Sequence, residues 1–226
     1  TKIQKIYPKQ IVNRVNSPDL HFSWSMNPYQ GCEHGCAYCY ARNTHTYWGY
    51  DAGISFEKQL LVKVNAAELL KKKLRHKNWK GERIHLSGNT DCYQPIEKKL
   101  EITRSLIDVA VFFNNPLGFI TKNDLILRDF DAIVELHKNA GVRVAISITT
   151  LDESLRRNLE PRTSTSKRRL EVVRQFADAG IPVQVLIAPV IPGLNQEEIP
   201  AIMEQAAKAG AKDVSYLTLR LNGQVK

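Results

Sequence analysis

The sequence holds 226 residues, 43% of them hydrophobic and 24% charged, which suits one large domain or two small ones with a sizeable buried core. Thirty-two lysines and arginines stand against 23 carboxylates, and the formal charge of +9 points to an anionic partner without naming it. No apolar run approaches the ~20 residues of a membrane span, the opening TKIQKIYPKQ lacks an apolar signal-peptide core, and the clustered cysteines do not resemble a secreted disulfide framework.

The cytoplasm is therefore the expected compartment, with no membrane partner. Residue 1 is not Met and YLTLRLNGQVK stops directly after an apolar run, so both ends read as trimmed. Residues 1–20 read as an N-terminal extension and 21–226 as one domain, cut after its sixth strand.

In chain order, HFSWSMN (His21 to Asn27) reads as a strand that runs into NPYQGCEHGCAYCYAR. LLKKKLRHKNWKGER then places Lys71, Lys72, Lys73, Arg75, Lys77 and Lys80 on and just after a helix. This run is either a solvated face or a nucleic-acid contact. Five more strands are expected at Arg83 to Gly88, Leu117 to Lys122, Val142 to Thr149, Ile181 to Val190 and Asp213 to Leu221.

Helical spacing fills the gaps: Leu100 to Phe113, Leu127 to His137, Leu170 to Phe176 and Ile199 to Ala209. NAG before Val142, DAG before Ile181 and KAG before Ala211 each put a glycine where a helix should stop. A second basic run, TSTSKRRLEVVR, carries Lys167, Arg168, Arg169 and Arg174.

Apolar strands alternating with helices predict an α/β fold of parallel strands: six βα units, short of a closed eightfold barrel, so a partial (β/α)6 barrel. In such sheets the chemistry gathers at the C-terminal strand ends. The three cysteines, SGNTD, Lys122, Ser147, Thr149 and APVIPG all fall at that rim.

Cys32, Cys36 and Cys39 follow a Cys-x3-Cys-x2-Cys spacing. Soft thiolates select zinc, Cu(I) or iron–sulfur clusters. Zinc needs a fourth ligand, for which His34 or Cys92 is available; a [4Fe-4S] cluster on three thiolates keeps one iron open.

With the aromatic Tyr38 before the third cysteine and the barrel behind it, the motif resembles the signature of the radical S-adenosylmethionine (SAM) superfamily. TDCYQPIE, ITK, SITTLDESL, LEPR and IAPVIPGLN make the chain similar to its spore photoproduct lyase-related branch over nearly its whole length. The resemblance implies a [4Fe-4S] cluster on Cys32, Cys36 and Cys39, with SAM chelating the open iron. It implies reductive cleavage of SAM to methionine and a 5'-deoxyadenosyl radical, and an electron donor such as flavodoxin or ferredoxin. It also implies a lyase-like DNA repair activity on nucleic acid, with a peptide, tRNA or small metabolite as the alternative substrate.

By position, the resemblance places Asn89 and Thr90 near the SAM amino group, Lys122 and Ser147 near its carboxylate and ribose, and Arg169 beside them. Tyr38 and Tyr40 match the lyase's tyrosines and are candidates for a hydrogen-atom relay, or simply pack against the cluster. Gly88 stands where the lyase has a hydrogen-donating cysteine, and Cys92, four residues on, is either its replacement or a buried apolar residue. Asp91 is a candidate substrate contact. Glu160 and Arg162 are expected to form an ion-paired corner, with Thr163 or Ser164 capping the next helix.

Overall fold

The computed structural model describes residues 1–16 and 23–221. Strands β1 (Lys2–Ile6), β2 (Val12–Arg14), β3 (Trp24–Met26) and β4 (Tyr29–Gln30) come first. The expected strand from His21 is thus β3, with His21 and Phe22 outside the described residues. Helix α1 (Ile54–Lys58), β5 (Gln59–Lys63) and α2 (Ala66–Leu74) lead to β6 (Ile84–Leu86). Then come α3 (Glu97–Leu100), α4 (Ile102–Phe113), β7 (Leu117–Thr121), α5 (Phe130–Ala140) and β8 (Val142–Ser147). Helices α6 (Glu153–Leu159) and α7 (Ser166–Asp178), β9 (Val183–Val190), α8 (Ile199–Lys208) and β10 (Asp213–Thr218) complete the described chain.

The main sheet has the order β10-β9-β8-β7-β6-β3-β2, parallel from β3 to β10, with β2 antiparallel at one edge. These six parallel strands are the six expected from the sequence, and the fold is the partial α/β barrel. A second sheet, β1-β5-β4, stands beside it. Strand β1 pairs in parallel with β5, which ties the opening residues into the body of the protein.

One strand face supplies Ile84, Leu86, Leu117, Phe119, Val142, Val144, Val183 and Val185 to the main core. They share it with Leu106, Ile107, Ile133, Leu136, Val173, Phe176 and Ile202 from the helices. Each such side chain contributes about 1.5–3 kcal/mol relative to exposure, so this layer fixes which strand face turns away from the helices. Alternation then puts Ser25, His85, Gly118 and Arg143 on the inner face, in one cross-strand row.

Local chemistry sets the boundaries. The expected helix from Leu100 divides at Glu101, whose φ is +51°, and α4 starts one residue later. The Glu97 carboxylate accepts from the Thr103 amide at 3.1 Å and from Arg128 at 2.7 Å, so a side chain from the preceding turn satisfies an orphan N–H of α4. Helix α7 is capped by the Thr165 hydroxyl rather than by Thr163 or Ser164. Gly180 and Gly210, at φ +78° and +90°, end helices as expected, in backbone conformations that L side chains rarely adopt.

Candidate active site

Strand β3 leads through β4 into the cysteine loop, and Cys39 caps a 3-10 helix over Tyr40–Trp48. All four cysteines are free; Cys32, Cys36 and Cys92 are buried and Cys39 is half-buried. Two arginines hold the loop from behind. Arg42 donates to the Cys36 carbonyl at 3.1 and 3.0 Å and to Glu57 at 2.5 Å. Arg162 reaches the Glu33 carbonyl and Glu57 from the opposite side, and the Ala37 amide donates to the Leu159 carbonyl at 2.9 Å. The expected Glu160–Arg162 pair is therefore replaced by Glu57–Arg162, because Glu160 turns inward.

Glu160 is fully buried and is the hub of the rim. Its carboxylate accepts from the Tyr38 phenol, from Thr149 at 2.6 Å and from Arg169 at 2.5 Å, and lies 3.0 Å from Lys122 Nζ. Burial alone would raise its pKa, but Lys122 and Arg169 outweigh burial and hold it well below the usual carboxylate range. Lys122 also donates to Ser147 Oγ at 2.5 Å and to the Ala188 carbonyl at 3.2 Å. The ends of β7, β8 and β9 and the cysteine loop thus meet in one ion-paired network.

Burial raises all three loop thiols; at Cys32 the negative charge of Asp91 and the other two cysteines add to it. At Cys39 the positive charges of Arg42 and Lys122 oppose it. Three free soft donors in one dry loop, with cations at hand to offset thiolate charge, fit an iron–sulfur cluster. Among the described residues, no three His, Cys, Asp or Glu side chains are placed to hold a single metal ion.

The family model of the radical SAM superfamily matches residues 26–206, which is most of the chain. This protein belongs to the radical SAM superfamily. An uncharacterized protein of Mycobacterium tuberculosis H37Rv is 35% identical over 96% of this chain and 65% of its own length. One of Methanocaldococcus jannaschii is 31% identical over 87% of this chain and 71% of its own. The chain thus spans just under two thirds of the mycobacterial relative. Among solved structures, a spore photoproduct lyase mutant with bound AdoMet and dinucleoside spore photoproduct superposes with TM-score 0.71, at 20% identity, over 99% of this chain and 64% of that chain. Streptococcus suis SuiB bound to S-adenosylmethionine gives 0.62 at 14% identity, over 89% of this chain and 41% of that chain. These two likenesses concern the fold.

Within this radical SAM barrel the sequence-predicted residues divide. Lys122, Ser147 and Tyr38 meet around Glu160. Tyr40 is 58% exposed, and its phenol donates to the Gly88 carbonyl at 3.0 Å, so it joins the cysteine loop to the end of β6. Asn89 lies at the rim, its amide contacting Gln30 at 3.4 Å and Thr44 at 3.3 Å. Thr90 is turned inward, its hydroxyl donating to the Tyr29 carbonyl at 2.8 Å.

Other candidates are committed to structure. Asp91 accepts from Thr121 at 2.8 Å and from the Lys122 amide at 2.9 Å, and faces His34 at 3.4 Å. Asn123 donates to the other His34 nitrogen at 3.1 Å, so both ring nitrogens are engaged. Cys92 is fully buried in the main core, whereas Cys32 and Cys39 share a small cluster with Ala41 and Phe56. Arg169 is 1% exposed and binds Glu160 and the Ser147 carbonyl, supporting the network from behind.

Sequence reasoning did not single out Arg42 or Glu57. Arg42, a lone charge directly after the cysteines among small and aromatic residues, was the available signal. The lysine run 71–80 covers the last turn of α2 and the link to the N-terminal end of β6, so it sits at the opposite end of the barrel from the cysteine loop.

Proposed function

We propose that this radical SAM enzyme holds a [4Fe-4S] cluster on Cys32, Cys36 and Cys39 and reductively cleaves SAM to act on a nucleic-acid substrate. The observation that carries the reading is the convergence, at one rim, of the three-thiol loop with the Tyr38–Glu160–Lys122–Ser147 network. The bound cluster and SAM supply one-electron cleavage to methionine and a 5'-deoxyadenosyl radical. Lys122 presents a cation and Ser147 a hydroxyl on the inner face, the donors that a carboxylate and a ribose require.

Glu160 pairs with Lys122 and fixes its position, and the hydrogen bond it accepts from Tyr38 orients that ring beneath the Lys122 ammonium. Asn89, with its side chain at the rim, serves the SAM amino group. Cys92, without exposed surface, has no substrate contact in this reading. The nucleic-acid assignment is supported by Tyr40, Tyr47 and Trp48, which are 58%, 88% and 45% exposed on the 3-10 helix that follows Cys39. Exposed aromatics beside a rim stack on splayed bases, and a base in a duplex must leave the stack to reach the barrel. The peptide reading draws support from the similar fold of SuiB bound to precursor peptide SuiA.

Anaerobic reconstitution with iron and sulfide, followed by dithionite and SAM, tests the proposal. We expect 5'-deoxyadenosine, with brown absorbance lost in Cys32→Ala, Cys36→Ala and Cys39→Ala and kept in Cys92→Ala. A colourless protein yielding no 5'-deoxyadenosine overturns the reading. Deuterium passing into 5'-deoxyadenosine from labelled thymine-dimer DNA would support the substrate class, and label arriving from a peptide instead would reject it.

A further inference from the structure

The inner face of the barrel carries a second group of polar side chains, well below the rim. Ser25, His85, Gly118 and Arg143 occupy one cross-strand row on β3, β6, β7 and β8. Gly118 leaves space that the His85 ring fills: a Cβ built at Gly118 would stand 2.4 Å from His85 Nδ1, so the imidazole lies across β7 towards Arg143. Arg83, two residues before His85, falls on the same face by strand alternation. Its Nη2 is 3.6 Å from a Cβ built at Gly141, at the start of β8.

The three groups feel one another. Burial, then Arg143, lowers the pKa of Arg83, and burial, then Arg83 and Arg143, push His85 down to about 4. Among the described residues neither arginine has a salt-bridge partner, and Arg83 Nε is sealed from solvent without a hydrogen-bond acceptor. Two like charges brought together, one of them with an unsatisfied buried donor, are destabilising until an acceptor arrives. Arg143 is exposed, so the row is open to solvent.

We propose that Arg83 and Arg143, with His85 between them, form an oxyanion site on the barrel floor that takes a phosphate group. The two guanidinium forks match the oxygens of a tetrahedral anion. Gly118 and Lys122 are four residues apart on or just after one strand, so the floor lies about 13 Å below the rim. A ligand reaching both ends would place its phosphate at the floor and its reacting carbon near Lys122 and Ser147. That last statement rests on the radical SAM reading of the rim, whereas the anion site does not.

The test is calorimetric titration of the full chain with inorganic phosphate, with sodium chloride holding ionic strength constant so that diffuse attraction to the lysine run stays fixed. We expect saturable binding, weakened at least tenfold in Arg83→Gln and in Arg143→Gln and unchanged in Lys77→Gln. Absence of saturable binding, or equal weakening by Lys77→Gln, overturns the site. Arg143 is exposed, so its variant keeps the test intact should Arg83→Gln fold poorly, as far-UV circular dichroism will show. Thymidine 5'-monophosphate is the second arm: tighter binding than inorganic phosphate assigns the site to a nucleotide ligand, and equal binding assigns it to free phosphate. The titration needs neither cluster nor SAM, so its failure leaves the rim assignment standing.

Discussion

Lys63 is 7% exposed, donates to the Asn27 carbonyl at 2.7 Å and has no carboxylate partner among the described residues. Burial pushes its pKa down from 10.5 to about 8. The unfolded chain therefore binds more protons than the folded one between about pH 8 and pH 10.5, and stability rises with pH across that window. Lys63→Met should melt above the wild type at pH 7, and the gap should close by up to about 3 kcal/mol as pH approaches 10.5. Urea unfolding at the two pH values checks this, and a constant gap would show the ammonium to be well solvated.

Glu160 has the opposite character, a depressed acid between two cations. Its contribution is complete above the usual carboxylate range and is lost as pH falls through its lowered value. Glu160→Gln leaves Lys122 and Arg169 without their counter-charge and should cost about 3–5 kcal/mol. A loss under ~1 kcal/mol would mean that solvent reaches the pair. The sequence put Glu160 at a corner but paired it with Arg162, two residues away. Its real partners, 38 residues before it and nine after it, depend on tertiary packing that spacing does not encode.

At the scale of elements, the cysteine loop and the turn that follows it offer a matched pair of glycines. Gly35 has φ +68° and a Cβ there would lie 2.1 Å from Arg162 Nη2; Gly49 has φ +77° with nothing within 4 Å. Gly49→Ala thus reports backbone strain alone, about 1 kcal/mol, while Gly35→Ala adds displacement of the arginine and should cost about 1–3 kcal/mol more. Thermal melts give the difference, and iron per chain after reconstitution should fall only for Gly35→Ala. The six parallel strands were legible because they read as short runs rich in Val, Ile, Leu and aromatics, bounded by turn residues. The β1-β5-β4 sheet was not assigned, since β4 is two residues long and β1, KIQKI, is almost wholly exposed. The cysteine spacing was legible because it is a local pattern within one short segment; the Arg42–Glu57–Arg162 clasp was not, because it joins three separate segments.

At the scale of the molecule, charge and apolar surface are unevenly placed. The lysine run and the oxyanion floor lie towards the N-terminal end of the barrel, whereas the exposed Tyr40 is tied to the rim end of β6. Among the described residues strand β10 is a sheet edge, with Tyr216 and Leu217 64% and 56% exposed, a template for pairing with a second strand. We expect this chain to self-associate with rising concentration and Leu217→Lys to remain monomeric; light scattering that is identical for both would disprove it.

The cysteine loop also has a place in time. Its backbone at Glu33, His34 and Ala37 is bound by Leu159 and Arg162, more than 120 residues later. At about 5–20 residues per second, a ribosome needs on the order of ten seconds to supply that frame. The thiols emerge long before the scaffold that spaces them, so under the proposed cluster assignment iron would meet either bare, oxidisable cysteines on a nascent chain or a folded barrel ready to receive it.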